Sequence, residues 1–184
     1  MTSNDQSLRE KNIVFTGFMG VGKTSIGKAV AKKLYRDFVD IDEEIETKHN
    51  MATTDIFKEI GEQAFREEEK NMIADFCKSK LKIISVGGGA FLHEETREIC
   101  LSECIVFFLD LSWESWQDRI SLIIDSRPVL QGKSIDEIKS LFYDRQSIYE
   151  GHHSKVKTDN LVIEEVADNV VHALKTAWDI YEPN

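Results

Sequence analysis

Short apolar runs alternate with longer amphipathic stretches along the chain, the pattern of strands interleaved with helices in a layered α/β protein. The runs Ile13–Thr16, Phe38–Ile41, Ile83–Val86, Ile105–Leu109 and Leu161–Ile163 read as strands. Four of the five are nearly pure apolar, as expected of parallel strands covered on both faces. Helical periodicity predicts helices over Thr24–Leu34, Glu62–Lys80, Glu94–Cys100, Trp113–Ile120, Ser134–Tyr149 and Val166–Tyr181. Gly61 precedes the second of these, and Ser134 stands three residues before Glu137, a capping-box spacing. In the last helix Val166, Val170, Ala173, Leu174, Ala177 and Trp178 form one stripe, read as core packing. Trp113 and Trp116 receive no role. The expected architecture is a five-stranded parallel sheet with helices on both faces. Ligands of such sheets bind beyond the carboxyl ends of the strands.

Composition narrows this picture. The 184 residues are 41% hydrophobic and 30% charged, with only two prolines and no Ser/Gly-rich linker, which fits one domain over 12–184. No apolar run approaches the roughly 20 residues a membrane span needs. The polar start "MTSNDQSLREKN" reads as a flexible leader over residues 1–11 rather than a signal peptide. Cys77, Cys100 and Cys104 have neither disulfide-framework nor zinc spacing, so they read as buried thiols in a reducing cytoplasm. The formal net charge of −10 argues against nucleic-acid or anionic-membrane partners. It also means that any anionic substrate requires basic side chains gathered in one cleft.

The strand ends supply candidates. After the first strand comes "GFMGVGKT", a G-x-x-x-x-G-K-[ST] loop between strand and helix. Gly17, Gly20 and Gly22 let the backbone curl with its N–H groups inward, Lys23 reaches β and γ phosphates, and Thr24 offers a hydroxyl to Mg²⁺ at the positive end of a helix. The second strand ends "DFVDID", and Asp40 and Asp42 are two apart, so on an extended strand both carboxylates face the same way. The competing reading is that Asp42 caps a helix beginning at Glu43. The third strand ends in Gly87, Gly88 and Gly89, where a ligand could touch bare backbone. Arg66, Arg119, Arg127 and Arg145 are the remaining basic candidates. "DSRPVLQGKS" breaks helical periodicity, as a lid would.

Six segments in register, "GFMGVGKT", "DFVDID", "IFKEIGEQAFREEE", "SVGGGAF", "SRPVL" and "DRQSIY", resemble the shikimate kinase family, small P-loop kinases related to nucleoside monophosphate kinases. The resemblance runs from about Asn12 onward. It implies strand order 2-3-1-4-5, a substrate-binding region at about 43–71 and a lid at about 121–133. It implies transfer of the γ-phosphoryl of MgATP to the 3-hydroxyl of shikimate by a cytoplasmic monomer. Carried onto this chain, Gly20, Val21, Gly22, Lys23, Thr24 and Ser25 would hold ATP, with Arg119 by the adenine. Thr24 would ligate the metal and Asp40 would reach it through water. Asp42 would bind the acceptor hydroxyl and act as base, so Lys23, Asp42 and Arg127 form the catalytic set. Arg66 and Arg145 would clamp the shikimate carboxylate, Gly87, Gly88 and Gly89 would line the ring pocket, and Phe57 and Phe65 would wall it. Glu69 would orient Arg66, and Arg127 would swing in against the phosphates. Ser147 stands where the family usually carries proline, which would loosen the turn positioning Arg145. The alternatives are a gluconate or nucleotide kinase on the same scaffold, or a non-catalytic nucleotide-binding module.

Overall fold

The computed structural model describes residues 7–183. Five parallel strands, β1 (Ile13–Thr16), β2 (Asp37–Asp40), β3 (Lys82–Ser85), β4 (Ile105–Asp110) and β5 (Ser154–Lys157), lie in the order β2-β3-β1-β4-β5. Val14 pairs with Ile84 on one side and Val106 on the other, fixing the register of the three central strands. Strand alternation then sorts the core into two layers. Ile13, Phe15, Ile83 and Phe107 face one way, Val14, Val39, Ile84 and Val106 the other. The first layer is sealed by α1 (Lys23–Leu34) and α8 (Ile163–Tyr181), the second by α2 (Ile41–His49), α3 (Thr53–Cys77) and α4 (Glu94–Glu103). Beyond β4 come α5 (Trp113–Gln117), α6 (Ile120–Ile123) and, after an irregular segment, α7 (Ile135–Tyr149). This is the expected three-layer α/β arrangement and strand order.

Several expectations change at the level of elements. The fifth strand is Ser154–Lys157, not Leu161–Ile163; the latter run is a turn and the entrance to α8, which begins earlier than its stripe suggested. Residues 41–49 form a helix of their own, and α3 begins at Thr53 rather than Glu62. Gly61 does not start α3 but breaks it. Its φ of 81° and ψ of 165° split the helix into two rods, a conformation that glycine takes without steric cost. The 113–120 prediction resolves into two short helices. Ser134 forms the expected capping box with Glu137.

Of the expected leader, residues 1–6 lie outside the described residues. Residues 7–11 form a turn tied down from both sides: Leu8 N–H and Ser7 Oγ donate to the Glu182 carboxylate at 2.6 and 2.7 Å, and Arg36 donates to the Arg9 carbonyl at 2.6 Å. Cys77, Cys100 and Cys104 are all buried and unpaired by disulfides, as read from their spacing. Among the described residues no helix is long and apolar enough to cross a membrane.

Candidate active site

The loop from Gly17 to Thr24 joins β1 to α1 at the carboxyl end of the sheet. Gly20 and Gly22 have φ of +78° and +105°, left-handed values where a Cβ would collide with the backbone. Gly22 is the N-cap of α1, and its missing side chain leaves the first amides of that helix without a side-chain acceptor. These amides and the helix dipole form a ready anion cradle. Lys23 is buried, its ammonium donating to the carbonyls of Gly17 at 2.8 Å and Phe18 at 2.9 Å. Burial, assisted by the nearby Arg127 charge, pushes its pKa down to about 7. An anion entering the cradle would restore the ammonium's charge.

Asp40 and Asp42 do not share a strand face. Asp40 is the last residue of β2 and caps α2, its Oδ1 accepting the N–H of Asp42 at 3.0 Å and of Glu43 at 3.3 Å. The helix therefore starts one residue after Asp40, and Asp40, not Asp42, provides the cap. The other Asp40 oxygen accepts the Thr24 hydroxyl at 2.5 Å, which fixes a pair of hard oxygen donors beside the phosphate loop. Asp42 sits in the first turn of α2 and projects into the cleft, where it pairs with Arg127 at 3.2 Å. Burial raises the Asp42 pKa above the usual carboxylate range, against the opposing charges of Arg127, Lys23 and Arg66.

The triple glycine follows β3, and its backbone is bare because the protein's own groups crowd it. A Cβ on Gly87 would meet Glu69 Oε2 at 2.8 Å and Asp42 Oδ1 at 3.2 Å. One on Gly88 would meet the backbone nitrogen of Met19 in the phosphate loop at 2.9 Å, and one on Gly89 the Arg66 guanidinium at 2.4 Å. Arg66 lies between Phe57 and Phe65, 5.8 and 5.5 Å from their ring centres, and pairs with Glu69 at 2.8 Å. That Glu69 contact is the predicted one. Glu69 is only 1% exposed, and burial outweighs the adjacent guanidinium, pushing its pKa up to about 7. Arg145 arrives from α7, buried, one helical turn before Tyr149. Ser147 does not loosen it: position 147 lies inside α7 with its hydroxyl on the Asp144 carbonyl, so Arg145 is held by a regular helix rather than a turn. Arg66 Nε, Arg145 Nη1 and Arg127 Nε are buried donors with no hydrogen-bond partner among the described residues, Glu62 standing 3.8 Å from Arg66 Nε. Such donors are costly unless something accepts from them.

Two adjoining cavities result. One, of about 210 Å³, is bounded by Lys23, Thr24, Asp40, Asp42, Gly88 and Arg127. The other, about 40 Å³, lies between Phe57, Phe65, Arg66, Gly89, Arg145 and Arg127. Asp42 and Arg127 border both. The Arg127 segment thus lies over the cleft, on Asp42. A separate cavity of about 210 Å³ brings Val21, Ser25 and Arg119 together with Thr158 and Leu161, beside the mouth of the loop. Every predicted site residue reaches one of these three spaces or the loop between them.

Three contributors carried no signal as site residues. Trp116, fully buried, donates its indole N–H to the Met19 carbonyl at 2.6 Å. Tyr149 donates to the Gly88 carbonyl at 2.6 Å. Glu46 accepts both the N–H and the hydroxyl of Thr53 at 2.7 Å, tying α2 to α3 at the cavity wall. Of the three, Tyr149 fell within a segment that carried the family resemblance, but nothing in its spacing revealed its target.

The family model described as shikimate kinase matches residues 19–175. The chain is 61% identical to the shikimate kinase of Oceanobacillus iheyensis, across 96% of both chains. It is 56% identical to that of Bacillus subtilis, across 96% of this chain and 95% of the relative. In structure it is similar to shikimate kinase from Acinetobacter baumannii in complex with shikimate, with a TM-score of 0.85 and 29% identity over 91% of this chain and 94% of that one.

Proposed function

The chain belongs to the shikimate kinase family, ATP-dependent phosphotransferases, and from this premise we propose that it moves the γ-phosphoryl group of ATP to the 3-hydroxyl of shikimate, giving shikimate 3-phosphate and ADP. The observation that carries the reading is the position of Asp42, common to the cavity beside the phosphate loop and the cavity beside Arg66 and Arg145.

In this reading ATP lies with its phosphates in the loop from Gly17 to Thr24 and its base against Arg119 and Thr158. Shikimate places its carboxylate between Arg66 and Arg145, whose buried free donors suit a planar anion in bidentate fashion. The Phe57 and Phe65 rings exclude water around the six-membered ring. Asp42 accepts the hydrogen bond of the attacking hydroxyl and takes its proton; the raised pKa makes it a better base than a solvated carboxylate. Lys23 and Arg127 hold the transferring group and offset charge on its oxygens.

Thr24 Oγ1 and Asp40 are hard oxygen donors side by side, which fits Mg²⁺ held by few protein ligands, with phosphates and water completing its shell. When bound, Mg²⁺ would supply charge neutralisation at the β and γ phosphates. Asp40 also orients Asp42 by capping α2, so one carboxylate couples the metal side to the acceptor side. The complete set of site groups on one chain supports a monomer, and its acidity and free thiols support the cytoplasm.

Calorimetric titration of shikimate with and without a non-hydrolysable ATP analogue tests this reading, alongside ADP release with shikimate, gluconate and nucleoside monophosphates. Binding and turnover with shikimate alone are expected. Turnover with gluconate and not with shikimate would overturn the assignment.

A further inference from the structure

We propose that Trp116 is a positioning residue for ATP: its indole N–H fixes the Met19–Gly20 peptide so that the Gly20 amide points at the bound phosphates. This rests on the phosphoryl-transfer reading of the loop and extends it to a residue outside the loop.

The contact itself is short and dry. The indole N–H donates to the Met19 carbonyl at 2.6 Å, and the Trp116 side chain is 0% exposed. A peptide unit is planar and trans, and the described residues contain no cis bond. Within one such unit the C=O and the following N–H point in opposite directions. Pulling the Met19 carbonyl outward onto Trp116 therefore turns the Gly20 N–H inward, toward the anion cradle. Gly20 permits this orientation because it sits at φ +78°.

The indole cannot easily follow the loop if the loop moves. Its ring stacks on Trp113 at 5.3 Å and 26°, and packs edge-on against Phe18 at 5.2 Å. Phe142 from α7 closes another side at 5.9 Å. Ile123 of α6 also closes on the loop: its Cδ1 lies 2.6 Å from where a Gly20 Cβ would lie, with the Trp116 nitrogen 3.5 Å from the same point. Both short helices that lead into the Arg127 segment thus touch this part of the loop.

Trp116→Phe keeps the ring and deletes the donor. One hydrogen bond to a rigid, buried carbonyl predicts a rise in the KM for ATP of about tenfold. The KM for shikimate should stay within twofold, and the melting temperature should fall only slightly. Trp113→Phe, which alters the stack but no bond to the loop, should leave the KM for ATP unchanged. Equal rises in both KM values, or an equal effect of Trp113→Phe, would overturn the proposal and leave Trp116 as core packing. Should the Trp116 variant fail to fold, the intact chain carries the test in its ¹⁵N indole spectrum, with signals assigned through Trp113→Phe and Trp178→Phe. The Trp116 N–H should shift on adding ADP and not on adding shikimate; an unmoved signal would refute the role. ADP titration needs no turnover, so a failure to phosphorylate shikimate would count against the function and not against this peptide.

Discussion

Replacing Gly89 by alanine isolates the acceptor fork from the rest of the site. The backbone there has φ −102° and ψ −2°, which alanine adopts freely, so the whole effect is one of space. The added Cβ would lie 2.4 Å from Arg66 Nη2 and 2.6 Å from its Cζ. Ordinary contact is about 3.5 Å, so the guanidinium must retreat by about 1 Å. It has little room, being boxed by Phe57, Phe65 and the buried Glu69 carboxylate. Weakening the Glu69 pair costs about 1–2 kcal/mol, which lowers the melting temperature by about 2–8 °C in a chain of this size. A displacement of about 1 Å at a clamping residue costs on the order of 10²-fold in kcat/KM. Gly89 borders the Arg66 cavity and not the one beside Lys23, so the loss should fall on the KM for shikimate while the KM for ATP holds. Steady-state kinetics with each substrate varied in turn, paired with a thermal melt, reads both effects. A folded Gly89→Ala protein whose KM for shikimate moves by less than twofold would refute the argument that this glycine exists to admit Arg66.

Further outcomes follow from the same geometry. Asp42→Asn should lower kcat by about 10²-fold or more and leave ADP affinity nearly intact, measured by coupled turnover and by calorimetry. Arg66→Lys should raise the KM for shikimate about tenfold, because a point charge cannot reproduce the fork; an unchanged KM would make Arg66 structural. Lys23, with its pKa pushed down to about 7, is mostly neutral at pH 8 in the free chain. Nucleotide binding at pH 8 should therefore take up close to one proton more in the native chain than in Lys23→Met, read from calorimetry in buffers of different ionisation heat. The sign for stability follows from the same shift. Between about 7 and the ordinary 10.5 the unfolded chain holds a proton that the folded one has lost, so Lys23 makes the free protein more stable as pH rises through that window. Lys23→Met should remove that rise in a pH series of thermal melts.

Much of this arrangement is legible in the amino-acid order, and the exceptions have identifiable causes. The three inner strands, β3, β1 and β4, are largely apolar runs because helices cover both their faces. The fifth, "SKVK", lies at a sheet edge with Lys155 and Lys157 exposed, so it carries no such run. The apolar triplet Leu161–Ile163 instead marks a turn and a helix entrance. The spacing of Asp40 and Asp42 was informative about the site but not about its geometry, since period-two reasoning holds only while the strand continues. Here the chain turns helical after Asp40, and the first carboxylate is consumed in making that turn. The glycines after β3 signalled a close approach, but only the fold identifies what approaches: Glu69, the phosphate loop and Arg66. Trp116 was silent because an aromatic residue on an amphipathic helix is ordinary core material, and the carbonyl it grips lies 97 positions away.

The break at Gly61 separates two tasks that a continuous helix would bind together. Phe65, Arg66 and Glu69 ride on the rod that runs on to Cys77 beneath the sheet, whereas Thr53 and Phe57 ride on the rod hung from α2 through Glu46. Nothing lies within 4 Å of the Cβ that Gly61 lacks, so the joint itself is uncluttered. A shift of the first rod can accordingly move the Phe57 wall of the chamber while Arg66 and Glu69 keep their place on the second.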